Sequence, residues 1–357
     1  MYYSVIPGRK LTSELTARWS AIQRADPTLA SPYFRPEFTQ AVAAVRDDVF
    51  VGLLEDNGEV VGFFPFQRSR GGMARPVGLG LSDYHGVIAR SDAQWTASEL
   101  MQGCKLIRWE FDHLPTSQQQ FAACYNDVSE SPIIEVSRGM AAYEASRDKS
   151  GRKQLREARR KSEKLATEVG PLSFTLHSAH QDILQQLLTW KSEQCRRTGT
   201  VDFFALDWCV KLISRIHATR ESDFGGMLAC LHAGETLAAV HFAMYSRQVW
   251  HSWFPAYNHE LQEYSPGFVL LLELIQAASG QGIKYIDLGK GLSLYKKRVM
   301  TGRIPVAEGC LAIPSVYNRL RAFREKLESW GKHSRLKPLL RFPGRIVRNM
   351  DRKKRYE

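Results

Sequence analysis

A chain of 357 residues with 44% hydrophobic content has apolar material for one large core or two moderate ones, and no stretch of it is apolar enough to span a bilayer. Its six cysteines (Cys104, Cys124, Cys195, Cys209, Cys230, Cys310) are scattered without paired spacing, which argues for reduced thiols in a cytosol and against a disulfide framework. Most of the net charge of +12 gathers beyond Ser315 while the part before Ala141 is near balance, so arguments about partners from charge concern the tail, not the body.

The N-terminal run MYYSVIPGRKLTSELTARW has no cleavable apolar region, so a cytoplasmic protein is expected. Val51 to Phe66 reads as two apolar strands joined through Gly58-Glu59, and Met227 to Met244 repeats that pattern through Gly234-Glu235. This echo points to two tandem halves. In the first half, Asp83-Tyr84-His85-Gly86 is a polar cluster with two readings: a loop closed by a turn-forming Gly, or part of an acceptor pocket in the cleft between the halves. The stretch from Gly151 to Gly170 predicts a charged connecting helix, either solvated or forming a cationic wall on a phosphate-receiving cleft. No recognised fold motif or interleaved aromatics accompany its charges, so nucleic acid is not an expected partner.

In the second half a strand at LSFTLHSA leads to two amphipathic helices. One stripes Ile183, Leu184, Leu187, Leu188 and Trp190, the other Trp208, Leu212, Ile213 and Ile216. Three strands follow, Gly226 to Leu231, Thr236 to Tyr245 and Val249 to Ala256, then a helix opened by Ser265-Pro266-Gly267. A strand from Ile283 to Leu288, a helix around Tyr295 and closing strands near Ile304 to Ile313 complete the set. Pro at the first turn with Gly beside it lets amides close on an anion at a helix start, where the dipole adds about 0.3–1 kcal/mol. His177 and His180 have no companion ligands, so no metal is expected.

The segments HSWFPAY (His251 to Tyr257), YSPG (Tyr264 to Gly267), IDLGKG (Ile286 to Gly291) and Tyr295-Lys296 resemble the GNAT acyltransferase superfamily. Gln262, Ser265 and Gly267 stand in the three places of its pyrophosphate loop, with Ser in place of the first Gly. Together with SPYFRPEF at Ser31, GFFPFQR at Gly62 and SDYHG at Ser82, they are similar to the CelD/BcsL type, associated with cellulose and exopolysaccharide biosynthesis and related in architecture to FemAB aminoacyltransferases. Relatives carry an acidic residue after the IDLGKG glycine; here Leu292 and Ser293 follow.

The resemblance implies an α/β (α+β) fold of two tandem GNAT-like domains, each a mixed, mostly antiparallel sheet flanked by helices. Expected boundaries are a degenerate N-terminal domain at 1–145, the connecting basic helix at 146–170, the acyltransferase domain at 171–314 and a basic helical tail at 315–357. It implies acetyl-CoA, or another acyl-CoA, as co-substrate, held by Phe254, Ala256, Gln262, Ser265, Gly267, Phe268 and Lys296, with splayed strands receiving its pantetheine arm. The acceptor is expected to be a sugar hydroxyl or amine, free or lipid-linked, met by Asp83, Tyr84, His85, Trp253, Tyr257 and Lys290. Two other readings stay open: aminoacyl transfer from transfer RNA, and a catalytically silent binding subunit, suggested by Leu292-Ser293.

Four residues are candidates for the proton transfers of direct attack on a thioester. Tyr295, a phenol of pKa near 10, suits a donor to a departing thiolate, although packing alone would also place it there. His241 and His251 lie on neighbouring strands, each either a proton acceptor or a hydrogen-bonded core residue. Asp287 ends a buried strand, where an acid needs a partner or a job. In the tail, Val316, Leu320, Phe323, Leu327 and Trp330 recur at helical spacing among Arg319, Arg321, Arg324 and Lys326. Such a helix packs on its own domain or lies on an anionic inner leaflet, each cation adding about 1 kcal/mol.

Overall fold

The computed structural model describes residues 1–314; the basic tail expected at 315–357 lies outside the described residues. The chain traces one supersecondary unit twice. The first pass is β1 (Tyr2–Pro7), α1 (Ser13–Ala25), α2 (Pro36–Ala43), β2 (Val49–Asp56), β3 (Glu59–Ser69), β4 (Met73–Arg75), the short β5 (Ile88–Ala89), α3 (Ala97–Gly103), β6 (Arg108–Pro115) and β7 (Tyr125–Glu135). Two helices, α4 (Gly139–Ala145) and α5 (Lys149–Glu168), connect it to the second pass. That pass is β8 (Leu172–Thr175), α6 (Gln181–Thr198), α7 (Asp207–Ala218), the short β9 (Arg220–Glu221), β10 (Phe224–Ala233), β11 (Thr236–Ser246), β12 (Val249–Tyr257), α8 (Pro266–Ser279), β13 (Tyr285–Asp287), α9 (Leu294–Val299) and β14 (Gly302–Ala312).

Local chemistry sets these boundaries. Thr96 and Glu99 form a reciprocal capping box at α3, Asp148 accepts from Gly151 N–H to start α5, and Pro266 opens α8. The first hairpin turns through Asn57 (φ 49°) and Gly58 (φ 82°), left-handed positions that a two-residue turn requires. The strand expected at LSFTLHSA stops at Thr175, the one expected over Ile283 to Leu288 is only Tyr285–Asp287, and the closing strands form the single β14.

All strands join one sheet, ordered β1-β2-β3-β4-β6-β14-β7-β13-β12-β11-β10-β8. This order is nearly symmetric about its middle, and there the two halves exchange their last strands. β7 pairs with β13, and β14 lies between β6 and β7. Each half has one parallel pair, β4 with β6 and β12 with β13. On one face an apolar core crosses both halves, with Trp19, Phe34 and Phe38 against Leu212, Phe224, Phe242 and Trp253 under α1, α2, α6 and α7. The other face has α3 over Phe64, Phe66 and Trp109 in the first half, and α5 and α8 over Trp250 and Ile286 in the second. α8 buries Val269, Leu270, Leu271, Leu274 and Ile275, each worth about 1.5–3 kcal/mol. α5 is not a free solvated rod: Leu155, Ala158 and Leu165 are buried, so its charges occupy only the outer side. Among the described residues no helix is long and apolar enough to cross a membrane.

Candidate active site

β12 pairs with β11 along its length, but β13 touches it only from Val249 to His251. Past Asp287 the chain keeps to β7 instead, with Leu288 N–H on the Pro132 carbonyl at 2.9 Å and Gly291 N–H on the Glu130 carbonyl at 3.0 Å. Gly289 (φ 75°) and Gly291 (φ 96°) permit that departure, and Gly289 is also a close approach, because a Cβ there would sit 2.8 Å from Asp83 Oδ2. β12 therefore runs on from Ser252 to Tyr257 with no described strand along its outer edge. A bulge at Trp253 interrupts the ladder, since Phe242 faces Phe254 while Ala243 faces Ser252. Its indole N–H donates to the Leu81 carbonyl at 2.9 Å, holding the loop that carries Asp83 against this strand. An open edge of alternating N–H and C=O groups is a template for any extended chain with amide groups.

At the far end of that edge is the bend before α8. Ser265 is left-handed (φ 52°) and its N–H bonds the Gln262 carbonyl at 3.1 Å, so Gln262 closes the turn. The amide of Phe268, expected to help hold the carrier, already bonds the Ser265 carbonyl at 2.9 Å, as does that of Val269 at 3.2 Å. Positive charge comes instead from α5, where Lys161 Nζ donates to Ser265 Oγ at 2.8 Å. Gly267 faces Tyr257, whose ring would lie 3.5 Å from an added Cβ.

At the near end, where β12 and β13 part, the polar groups converge. His251 is fully buried; its Nε2 lies 2.9 Å from Asp83 Oδ2 and its Nδ1 3.7 Å from Asp287 Oδ1. Asp287 accepts three hydrogen bonds, from Tyr84 Oη at 2.6 Å, Ser131 Oγ at 2.6 Å and Gly289 N–H at 2.8 Å. Tyr33 packs edge-on to His251, centroids 4.9 Å apart, and donates to the Leu81 carbonyl. Behind Asp83, His113 Nε2 is 3.4 Å from Asp83 Oδ1. The side chain of Asp83 is 27% exposed, so it is the member of the trio that opens outward.

Burial alone would raise the Asp83 carboxyl, but the hydrogen bond and charge of His251, with His113 and Lys296, outweigh it and hold the group at about 2. His85 is pushed down to about 3, chiefly by burial. Its Nε2 accepts N–H bonds from Asp112 and His113, both at 3.0 Å, which suits a neutral ring. Burial lowers the Lys296 ammonium, and Asp83 and Asp287 offset only part of that.

Of the expected site residues, Asp83, Tyr84, His251 and Asp287 form this one cluster, joined across the two halves. His85 is behind it as a fixed acceptor for backbone amides and does not line the open side. His241 does not join it. Register sets it opposite Ala229 and Pro255, on the face that packs α8, whereas His251 is opposite Met244 on the other face. Lys296 donates to the Gly289 and Lys290 carbonyls, bracing that turn rather than reaching the bend before α8, and Lys290 bonds the Asp112 carbonyl and Glu308. Phe254 packs between Phe204 and Trp253. Tyr295 on α9 is 40% exposed, next in sequence to the lysine that braces the glycine turn. Ser131, His113 and Asp112 were not foreseen; no local motif marks them. Among the described residues no group of His, Cys, Asp or Glu is placed to hold a metal ion.

A cavity of about 990 Å³ opens beside the same strand, between α6 and the ends of β8, β10, β11 and β12, with Pro255, Ala256 and Tyr257 in its wall. Asp182, Glu193, Glu235 and Glu260 line it together with Arg197 and the imidazoles of His180, His232 and His259, with Trp190 as a flat apolar surface.

Residues 149–297 match a family model described as the acetyltransferase (GNAT) domain, a span that begins at α5 and ends within α9. No curated protein matches the chain. Among solved structures, FemX is 10% identical over 90% of this chain and 99% of its own, with a TM-score of 0.57. The C-terminal domain of a protein assigned as a lysylphosphatidylglycerol synthetase of Agrobacterium fabrum is 13% identical over 88% of this chain and 96% of its own, TM-score 0.54. A conserved protein of unknown function from Bacteroides thetaiotaomicron is 11% identical over 77% and 90%, TM-score 0.50. At such identities the likeness is one of fold, and it extends over both halves.

Proposed function

We propose that this chain, whose residues 149–297 match the acetyltransferase (GNAT) domain, is an acyltransferase that moves an acetyl or similar acyl group from acyl-CoA to an amine or hydroxyl of a saccharide used in exopolysaccharide or cellulose assembly. One observation carries the reading: among the described residues no strand pairs with the edge of β12 that runs from the Asp83–His251–Asp287 cluster to the Lys161–Ser265 bend. A pantetheine arm has amides spaced to pair with such an edge, which leaves its thioester near the bulge and its phosphates near Lys161. The saccharide assignment is supported by the motif resemblance, since HSWFPAY, YSPG and IDLGKG all lie along this edge or at its ends.

The acceptor nucleophile attacks the thioester carbonyl directly and gives up a proton. Asp83 does not keep it: beside a protonated His251 its carboxyl is held at about 2, so the proton passes to the ring. With the imidazole proton on Nδ1, the transferred proton settles between Asp83 Oδ2 and His251 Nε2, 2.9 Å apart. Asp287, saturated by three donors, stays a fixed negative charge beside the resulting imidazolium. Tyr295 is the proposed donor to the leaving thiolate. The carboxylate-lined cavity disfavours a phosphorylated acceptor and favours an amine, so an amino sugar is the acceptor we infer.

A second reading, aminoacyl transfer from transfer RNA, is favoured by one feature: Arg152, Lys153, Arg156, Arg159 and Arg160 share an exposed side of α5. Calorimetry with acetyl-CoA, followed by thiol release with glucosamine, glucose or charged transfer RNA, separates the readings. Saturable acetyl-CoA binding and release faster with glucosamine than with glucose are expected. Acyl transfer only from charged transfer RNA would replace the reading with the second, and inertness to all would indicate a silent binding subunit.

A further inference from the structure

His251 has 0% of its surface exposed, so a proton lodged there has no direct way to water. The exposed side of Asp83 is the side an acceptor covers. We propose that Asp83 and His113 form the exit for that proton, with His113 releasing it beside Asp112 at the surface. The proposal rests on the reading that the Asp83–His251 pair takes the acceptor's proton.

The geometry is a graded path. Asp83 presents one carboxylate oxygen to each imidazole, Oδ2 to His251 Nε2 at 2.9 Å and Oδ1 to His113 Nε2 at 3.4 Å. The other nitrogen of His113 lies 3.1 Å from Asp112 Oδ1, at an angle outside good hydrogen bonding, and Asp112 is 54% exposed against 14% for His113. Every charged or titratable group facing His113 fits this order. Burial lowers its proton affinity and Lys290 opposes it, yet Asp112 from its own strand and Asp83 from the first-half loop overcome both and raise it. His85 packs edge-on to His113, centroids 6.0 Å apart, and is committed to two backbone amides. It fixes the ring's position without taking part.

The balance involves protons alone. His251 Nε2 returns its proton to Asp83 Oδ2, the carboxyl turns about Cβ–Cγ, and His113 Nε2 accepts as Nδ1 releases a proton toward Asp112 and water. One proton leaves, and no redox partner is needed.

The test is the exchange rate of the His251 ring N–H with water in the presence of saturating glucosamine and no acyl donor, so that the exposed side of Asp83 is covered, followed by NMR of protein labelled with ¹⁵N-histidine. His113→Asn is expected to slow exchange about tenfold or more, with free imidazole buffer restoring it. Asp112→Asn, a surface change suited to the case in which His113→Asn does not fold, is expected to slow it by a smaller factor. Exchange unchanged in the folded variants, or slowed without rescue by imidazole, would overturn the relay. Acetyl-CoA binding measured on the same samples judges the acyl-transfer reading separately, because its failure leaves the exchange result standing.

Discussion

Replacing Asp287 by Asn is expected to reduce turnover about a hundredfold or more and to cost about 3 kcal/mol of folding stability. The carboxylate is 1% exposed and accepts from Tyr84 Oη, Ser131 Oγ and Gly289 N–H. An amide keeps the shape but offers one oxygen and two hydrogens to a site built wholly of donors, so at least one of Tyr84, Ser131 and Gly289 loses its acceptor. Hydrogen bonds to a charged group contribute about 1.5–3 kcal/mol each, which sets the scale. Two of these donors, Tyr84 and Ser131, come from the first half, so the loss also loosens the junction between halves. Catalysis suffers for a different reason: the fixed charge beside His251 that favours the imidazolium is gone. Urea denaturation and acetyl-CoA turnover check both effects, with Ser131→Ala, which removes one donor and leaves the charge, as the milder comparison. An Asp287→Asn protein with unchanged midpoint and rate would remove the residue from this role.

Acidification is expected to destabilise the protein steeply between about pH 6.5 and 4, well above the range in which its paired carboxylates titrate. Burial lowers His85 to about 3 and His241 to about 4, so both rings are held neutral in the fold while an unfolded histidine takes a proton near 6.5. A depressed folded value means that the stability is fully present above 6.5 and lost as pH falls. By pH 4 the loss amounts to about 3 kcal/mol for each ring, against a total of roughly 5–15 kcal/mol for an ordinary domain. His113, raised by Asp112 and Asp83, works the other way: its contribution is present at low pH and lost as pH rises through its folded value, which blunts but does not cancel the slope. Asp83, held at about 2, adds its own loss only from about pH 4 down to 2. Urea midpoints at pH 7, 5.5 and 4 test this, with a His241→Gln variant expected to show a slope shallower by about one proton. Stability constant from pH 7 to 4 would show that these rings do not stay neutral in the fold.

The reading of the sequence reached the repeat because turn chemistry is local: Gly58-Glu59 and Gly234-Glu235 announce matching hairpins whatever surrounds them. Pro266 likewise marks the start of α8. Asp83, His251 and Asp287 were each noticed, but as members of separate groups, because nothing local shows that a loop of the first half is stapled beneath β12 by Trp253 and Tyr33 through one carbonyl, that of Leu81. Ser131 was out of reach for a topological reason: it meets Asp287 only because β7 leaves its own half to pair with β13. His113 carries no motif, and only the packing of β6 against the Asp83 loop within the first half brings the two together. The packed side of α5 was hidden by composition, since three buried apolar residues are outnumbered by cations along the same helix. His241 and His251 read as equivalent strand histidines, and only the register separates their faces.

The claim on which the rest depends is that the edge of β12 left open among the described residues receives the extended arm of the acyl carrier. Hydrogen exchange of the backbone amides from Ser252 to Tyr257, with and without acetyl-CoA, tests it most directly. Alternate amides along that edge, those not already bonded to β11, are expected to slow about tenfold or more on binding, together with Gly267 at the bend. Acetyl-CoA that binds while this edge exchanges as before, with protection appearing elsewhere, would contradict the account.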